Sequence, residues 1–278
     1  MADLDFGGGE LVMWGGDLKP AGTVSGGGRL SLRHRSDFET RGYADAARLA
    51  VEVLDAGRFV NRGAITGPVD LTARGNGQAV LAYAGARFIL AAGSTLTLEG
   101  VTAGFDGTAG GAASITLRAG STTRLRPGLV LPFSDPAGRS GQFWVGGTIR
   151  GLTSGATATV LGFVHNNSGN GYLTLGDVTG SFAVGETLNG PMRKTFTERA
   201  AEDLATVSAA GTVSIPKIGK LAAGPGTGRV TATVTLGGTL DLSALPVGTH
   251  TIVEADTITG SFASVIGGSL STATAGKV

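Results

Sequence analysis

The chain has 278 residues, of which 49 are glycine, against an average usage of about 7%. Charged residues make up 15%, and 22 basic side chains stand against 21 acidic ones, for a net charge of +1. With 41% hydrophobic residues the composition excludes a disordered chain and, lacking glycine at every third position, collagen. The charge balance supplies no electrostatic basis for nucleic-acid or membrane partners. There is no cysteine, hence no disulfide and no thiolate metal site.

The opening MADLDFGGGE has neither a basic start nor an apolar core and does not read as a secretory signal. No run of roughly 18 apolar residues predicts a transmembrane helix. Residues 1–35 are glycine-rich, with short apolar pieces such as Leu11-Val-Met-Trp14. They read either as an extended arm that docks on a partner or as a first pair of strands with loose turns. Residues 36–57 carry the one strong helical signal. Ser36 and Glu39 form a capping box, Tyr43, Ala47, Ala50 and Leu54 fall at helical spacing, and Asp45–Arg48 and Arg48–Glu52 are placed for pairing along a helix. Gly57 suits a C-terminal cap. Residues 1–57 are therefore expected to anchor the protein through an arm and an amphipathic helix, with Trp14, Tyr43, Ala47, Ala50 and Leu54 at the interface.

From residue 58 to 140 the pattern becomes short alternating strands separated by glycine. Leu90-Ala-Ala-Gly-Ser-Thr-Leu-Thr-Leu98 matches Leu117-Arg-Ala-Gly-Ser-Thr-Thr-Arg-Leu125 at six of nine positions, offset by 27. A glycine turn at a fixed offset is how a solenoid coil rounds its corner, although antiparallel sandwich strands also use glycine turns. Residues 141–190 read as a separate small β module, with the polar stretch His165-Asn-Asn-Ser-Gly-Asn-Gly171 as a hairpin turn. Thr195 to Thr206, with Glu198, Arg199, Glu202 and Asp203, reads as a short helix or connector. The remainder, to 278, returns to alternation, as in Val230-Thr-Ala-Thr-Val-Thr-Leu236. The expected fold is mainly β: glycine-rich β-solenoid or β-sandwich modules with one N-terminal amphipathic helix.

Three stretches carry a resemblance: Thr153-Ser-Gly-Ala-Thr-Ala-Thr-Val160, Leu173-Thr-Leu175, and Val178-Thr-Gly-Ser-Phe-Ala-Val-Gly-Glu-Thr-Leu188. The 147–188 unit that they span resembles a small β module of tailed-bacteriophage virion proteins. The 230–266 stretch, with Leu245-Pro-Val-Gly-Thr-His-Thr-Ile-Val-Glu254 and Thr259-Gly-Ser-Phe-Ala263, looks like coils of autotransporter passengers and other β-solenoid adhesins. These units cover about 80 of the 278 residues. The resemblance implies a virion protein of fibre, spike or capsid-decoration type, commonly a homotrimer, with other virion proteins as partners and a host surface glycan as a further one.

The sequence carries no strong catalytic signature. His34, His165 and His250 have no second histidine at ligand spacing, there is no G-x-S-x-G elbow, and Gly224-Pro-Gly-Thr-Gly-Arg229 lacks the Lys-Ser/Thr of a phosphate-binding loop. No cofactor or metal is expected. Polysaccharide hydrolysis would need paired carboxylates, and Glu254, Asp256 and Asp241 are weak candidates. A solvated strand edge is the plainer reading of Glu254 and Asp256, two acids on one strand face. The expected function is structural and non-enzymatic. The alternatives are a glycan-binding adhesin and a tailspike-like polysaccharide-degrading enzyme acting through those three acids.

Overall fold

Alternating apolar and polar residues send every second side chain inward, and coils of similar length then bring the inward side chains into register. In the computed structural model, which describes residues 3–107, 111–135, 143–166, 169–194, 197–221 and 230–271, the outcome is a parallel β-solenoid with an antiparallel sheet inserted into one coil.

On the first face, Leu11, Leu30, Val51, Leu71, Leu96, Thr123, Leu240 and Val265 lie opposite one another from strand to strand. A second column, on another face, runs through Leu4, Val24, Tyr43, Ile65, Phe88, Ile115, Val234 and Ile258. Between these faces lie the stacked rings of Phe38 and Phe59, with centroids 6.1 Å apart, and further along a three-stranded sheet of Ala82–Tyr83, Thr102–Asp106 and Lys217–Lys220. Leu30, Leu71 and Leu96 are wholly buried, and each such side chain contributes about 1.5–3 kcal/mol.

The 27-residue repeat is one coil. Leu90 pairs with Leu117 and Leu98 with Leu125. Gly93 and Gly120 occupy the same corner with φ of +75° and +79°, and the Gly93 N–H donates to the Gly120 carbonyl at 2.8 Å. Parallel stacking at this offset makes the region a solenoid, not a sandwich.

No helix occurs among the described residues, and the one expected over 36–57 is instead strand. Gly28–Tyr43 and Leu49–Val53 pair in parallel, joined by a turn. Burial there follows a period of two: Leu49, Val51 and Val53 point inward, as do Phe38 and Thr40. The capping-box residues are spent elsewhere. The Ser36 hydroxyl accepts the Gly15 N–H at 2.8 Å, and Glu39 pairs with Arg62 at 2.7 Å. Asp45 caps the turn by accepting the Ala47 N–H at 2.8 Å and the Gly26 N–H at 2.9 Å, which hold its carboxyl below the ordinary range. Arg48 reaches across coils to Asp70 at 2.8 Å. Burial against neighbouring coils overrides a local helical pattern whose face was narrow and alanine-rich.

Coil length fixes where the inserted sheet begins. The first column advances 19 residues from Leu11 to Leu30, then 21, 20, 25 and 27 to reach Thr123. The next step, Thr123 to Leu240, spans 117 residues, and the one after it, to Val265, is 25. The excess is a seven-stranded antiparallel sheet running from Gly128–Ser134 to Thr212–Ser214. Its core holds Leu131, Phe133, Phe143, Ile149 and Leu173. Thr157–His165 and Asn170–Thr179 form the expected hairpin, with His165 opposite Gly171. The segment expected as a helix or connector is a strand, Thr197–Val207, paired with Thr187–Lys194. Pairing with an antiparallel neighbour satisfies its backbone without a helix, and Asn189 donates to Asp203 Oδ1 at 2.9 Å. The glycine-rich loop Gly224 to Arg229 lies outside the described residues.

The inserted sheet folds back along one ridge of the solenoid. At that ridge successive coils place a left-handed residue: Gly15, His34, Asp55, Gly75 and Gly100. Against it rest Trp144, whose ring lies 6.0 Å from that of Trp14, the Leu161 carbonyl, which accepts the Asp55 N–H, and Thr174, which donates to Asn76 Oδ1 at 2.7 Å. The chain closes the insertion at Ser214, whose hydroxyl donates to the Gly100 carbonyl at 2.8 Å.

Candidate functional site

The strand Thr122–Arg126 alternates in and out, so Thr123 and Leu125 face the core while Arg124 and Arg126 project outward from the first face. Immediately afterwards Pro127-Gly128 leads the chain off the solenoid. Gly100 and Gly128 touch there: a Cβ on Gly100, at φ +69°, would stand 3.1 Å from the Gly128 Cα. Beside this close approach a cleft of about 740 Å³ opens between the first face and the inserted sheet.

The solenoid wall of the cleft is polar. It presents Arg124, Arg126 and Asp241, with Glu99 deeper in. Parallel register places Asp241 beside Arg124 and Glu99 beside Arg126. Glu99 is committed elsewhere, to Arg74 Nε at 2.6 Å, and Asp177 on the inserted sheet approaches the same guanidinium at 3.7 Å. Asp241 receives the Ser243 hydroxyl at 2.6 Å and the Ser243 N–H at 3.0 Å. These bonds, with Arg124 and Arg126 nearby, hold its carboxyl below the ordinary range. Its contact with Arg124 is long, 3.9 Å. Arg126 has no ion-pair partner among the described residues. The opposite wall is apolar and comes from the insertion: Leu129, Leu131, Val178, Phe182 and Val213. Val178 and Val213 are exposed, at 38% and 53%, an unusual placement for two valines facing one cleft.

The structure does not bring the three candidate acids together. Asp241 lies on the first face, in the cleft. Glu254 and Asp256 lie near the Val253–Ile218 bridge on another side of the solenoid, where Glu254 pairs with Lys217 at 2.8 Å. Asp256 pairs with Lys220 at 3.4 Å and accepts the Ala232 N–H at 2.7 Å. Among the expected interface residues, Tyr43 is 1% and Leu54 6% exposed. Both are buried in the protein, which corrects their assignment to a docking face: no helix runs here, Tyr43 ends the strand Gly28–Tyr43, and Leu54 follows the strand Leu49–Val53. Burial raises the Tyr43 hydroxyl pKa. Ala47 is exposed on the turn and Ala50 half-buried on a strand. Trp14 packs on Trp144, with Arg33 5.4 Å over its ring. Trp14 thereby ties the first coil to the insertion.

The cleft was not foreseen. Its sequence signal is Arg124-Leu-Arg126 followed by Pro127-Gly128, an alternating strand with two outward cations that ends at a chain exit. Among the described residues no group of three or more metal-ligating side chains converges. No family model, no curated protein and no solved structure matches this chain.

Proposed function

We propose that this protein is a non-enzymatic structural component of a bacteriophage particle, of fibre, spike or capsid-decoration type, that acts by assembly and surface binding. The observation that carries the reading is the ladder itself. A parallel solenoid is stiff along its axis and each coil gains its stability from its neighbours. Its outermost strands, Thr257–Gly260 and Ser264–Ile266, have no further strand beside them among the described residues. Ile266 is 49% exposed on that last coil, and Val247 is fully exposed on the loop before it. Open strand edges with apolar side chains are normally covered, and a symmetric assembly of identical chains covers them. The engagement of Glu254 and Asp256 by lysines supports a structural use of those acids.

The test is the mass of the purified chain by light scattering. The expected result is a homotrimer, three times the 27.6 kDa of one chain. A stable monomer overturns the trimer. Release of oligosaccharide from a surface polysaccharide, abolished by Glu254→Gln or Asp256→Asn, overturns the non-enzymatic role.

A further inference from the structure

We infer that the cleft between the first face and the inserted sheet binds a small organic anion: one carboxylate carried on an apolar or ring body. This goes beyond assembly and surface binding.

The argument begins with charge. Arg124 and Arg126 stand two residues apart on one outward face, so two guanidinium forks open onto the same space. A guanidinium pairs with a carboxylate through two parallel hydrogen bonds, the strongest pairing available to it. The nearest acids do not take up this capacity. Glu99 is held by Arg74, Asp241 is satisfied by Ser243 and stands 3.9 Å from Arg124, and Arg126 has no ion-pair partner among the described residues.

The second part is shape and polarity. About 740 Å³ lies within the ~300–1,000 Å³ of small-molecule sites, which combine apolar walls with a few convergent polar groups. Leu129, Val178, Phe182 and Val213 form such a wall directly across from the two arginines. A free inorganic anion would leave that wall wet, and a neutral apolar molecule would leave the guanidiniums unused. A carboxylate on an apolar body uses both. Ser243 and Asp177, at the rim, can meet hydroxyl groups, so a sugar acid belongs to the same chemistry as an aromatic or aliphatic one.

The test is calorimetric titration of the full chain with 2-naphthoate at low ionic strength, beside the neutral 2-naphthalenemethanol and beside glucuronate. The expected result is that naphthoate binds at least about tenfold more tightly than the neutral analogue, the effect of a charge-assisted pair. Arg126→Gln weakens naphthoate by about tenfold or more, whereas Arg87→Gln, on the outside of another face, leaves it unchanged. Val213→Asp, on the opposite wall, also weakens it, by repulsion. Arg126 is exposed, so an unchanged melting temperature checks that its variant is folded. Glucuronate binding as tightly as naphthoate assigns the site to sugar acids, and naphthoate alone assigns it to apolar carboxylates. Either supports the inference. Equal binding of the neutral analogue, undiminished binding by both variants, or no saturable binding of naphthoate up to roughly 10 mM, read by calorimetry and by a shift of the melting temperature, overturns it.

Discussion

The solenoid and the inserted sheet solve the same problem, burying one side of every strand, by opposite means. In the solenoid each strand lies beside the equivalent strand of the next coil, so one inward position repeats as a column: Leu30 over Val51 over Leu71 over Leu96. In the insertion each strand lies antiparallel to a neighbour of different sequence, and its core of Leu131, Phe133, Phe143 and Ile149 has no repeat. Stability in the first is a chain of nearest-neighbour contacts. In the second it depends on particular tie points. A backbone that must fit its own copy tolerates little change at the places where coils touch. A sheet held by a few ties fails when one of them is cut.

The largest effect is therefore expected where two coils meet backbone to backbone. A Cβ on Gly63 would lie 1.6 Å from the Arg41 carbonyl oxygen, which a shift of one flexible side chain does not relieve. Gly63→Ala must push two coils apart and break the register of Gly28–Tyr43 with Arg58–Ile65. We expect a loss of more than about 3 kcal/mol, the range of severe core lesions, read as a lowered denaturant midpoint. Hydrogen exchange should quicken in coils on both sides of residue 63 while the inserted sheet keeps its protection. Loss confined to one turn would break the comparison.

The corresponding weak point of the insertion is Glu186, which is 4% exposed. Its carboxylate accepts the N–H groups of Thr153 at 3.1 Å, Ser154 at 2.8 Å and Ala183 at 2.6 Å, and the Ser154 hydroxyl at 2.8 Å. Burial alone would raise its pKa, yet these bonds together hold it below the ordinary 4.5. A depressed carboxyl stabilises the fold above its unfolded pKa, and that contribution fades as pH falls through the folded value. Glu186→Gln should cost about 2–3 kcal/mol at pH 7, because a neutral amide accepts fewer of these bonds and turns a donor towards them. The gap between variant and parent should narrow as pH drops below 4.5. Exchange should quicken in residues 143–207 and spare the solenoid. A gap that stays constant from pH 7 to pH 3, measured by chemical denaturation, would remove the charge from this account.

The same contrast explains what the sequence made legible. The 27-residue repeat was visible because stacking demands similar residues at similar offsets, and it turned out to be one coil with its corner. Shorter coils, of 19 to 21 residues between Leu11 and Leu71, left no such trace: only inward apolar character is conserved from coil to coil, and many residues satisfy it. In that stretch a helical pattern over Tyr43, Ala47, Ala50 and Leu54 competed with the period-two pattern of Leu49, Val51 and Val53, and long-range pairing decided between them. The His165–Gly171 turn was legible because its chemistry is local. The extent of the insertion was not, since its first and last strands, Gly128–Ser134 and Thr212–Ser214, pair residues 82 to 86 apart in the chain. The cleft depends on that closure, so Arg124 and Arg126 could be seen as outward cations but not as facing a wall of valines.

The smallest effect, opposite in sign, lies where the two regions join. In the first column every inward position is apolar except Thr123, which stacks between Leu96 and Leu240. It is 1% exposed, and its hydroxyl has no hydrogen-bond partner among the described residues. A buried hydroxyl without a partner retains its desolvation cost. Valine has nearly the same shape and suits a strand at least as well. Thr123→Val should stabilise the protein by about 1 kcal/mol, since removing an unsatisfied group can outweigh any loss of fit, and should do so without altering ligand binding in the cleft, because residue 123 faces inward and Arg124 and Arg126 outward. The denaturant midpoint reads the first claim and naphthoate titration the second. A destabilised variant would mean that this column needs a polar group at the coil from which the chain departs, and the solenoid would then be tuned to its insertion instead of merely interrupted by it.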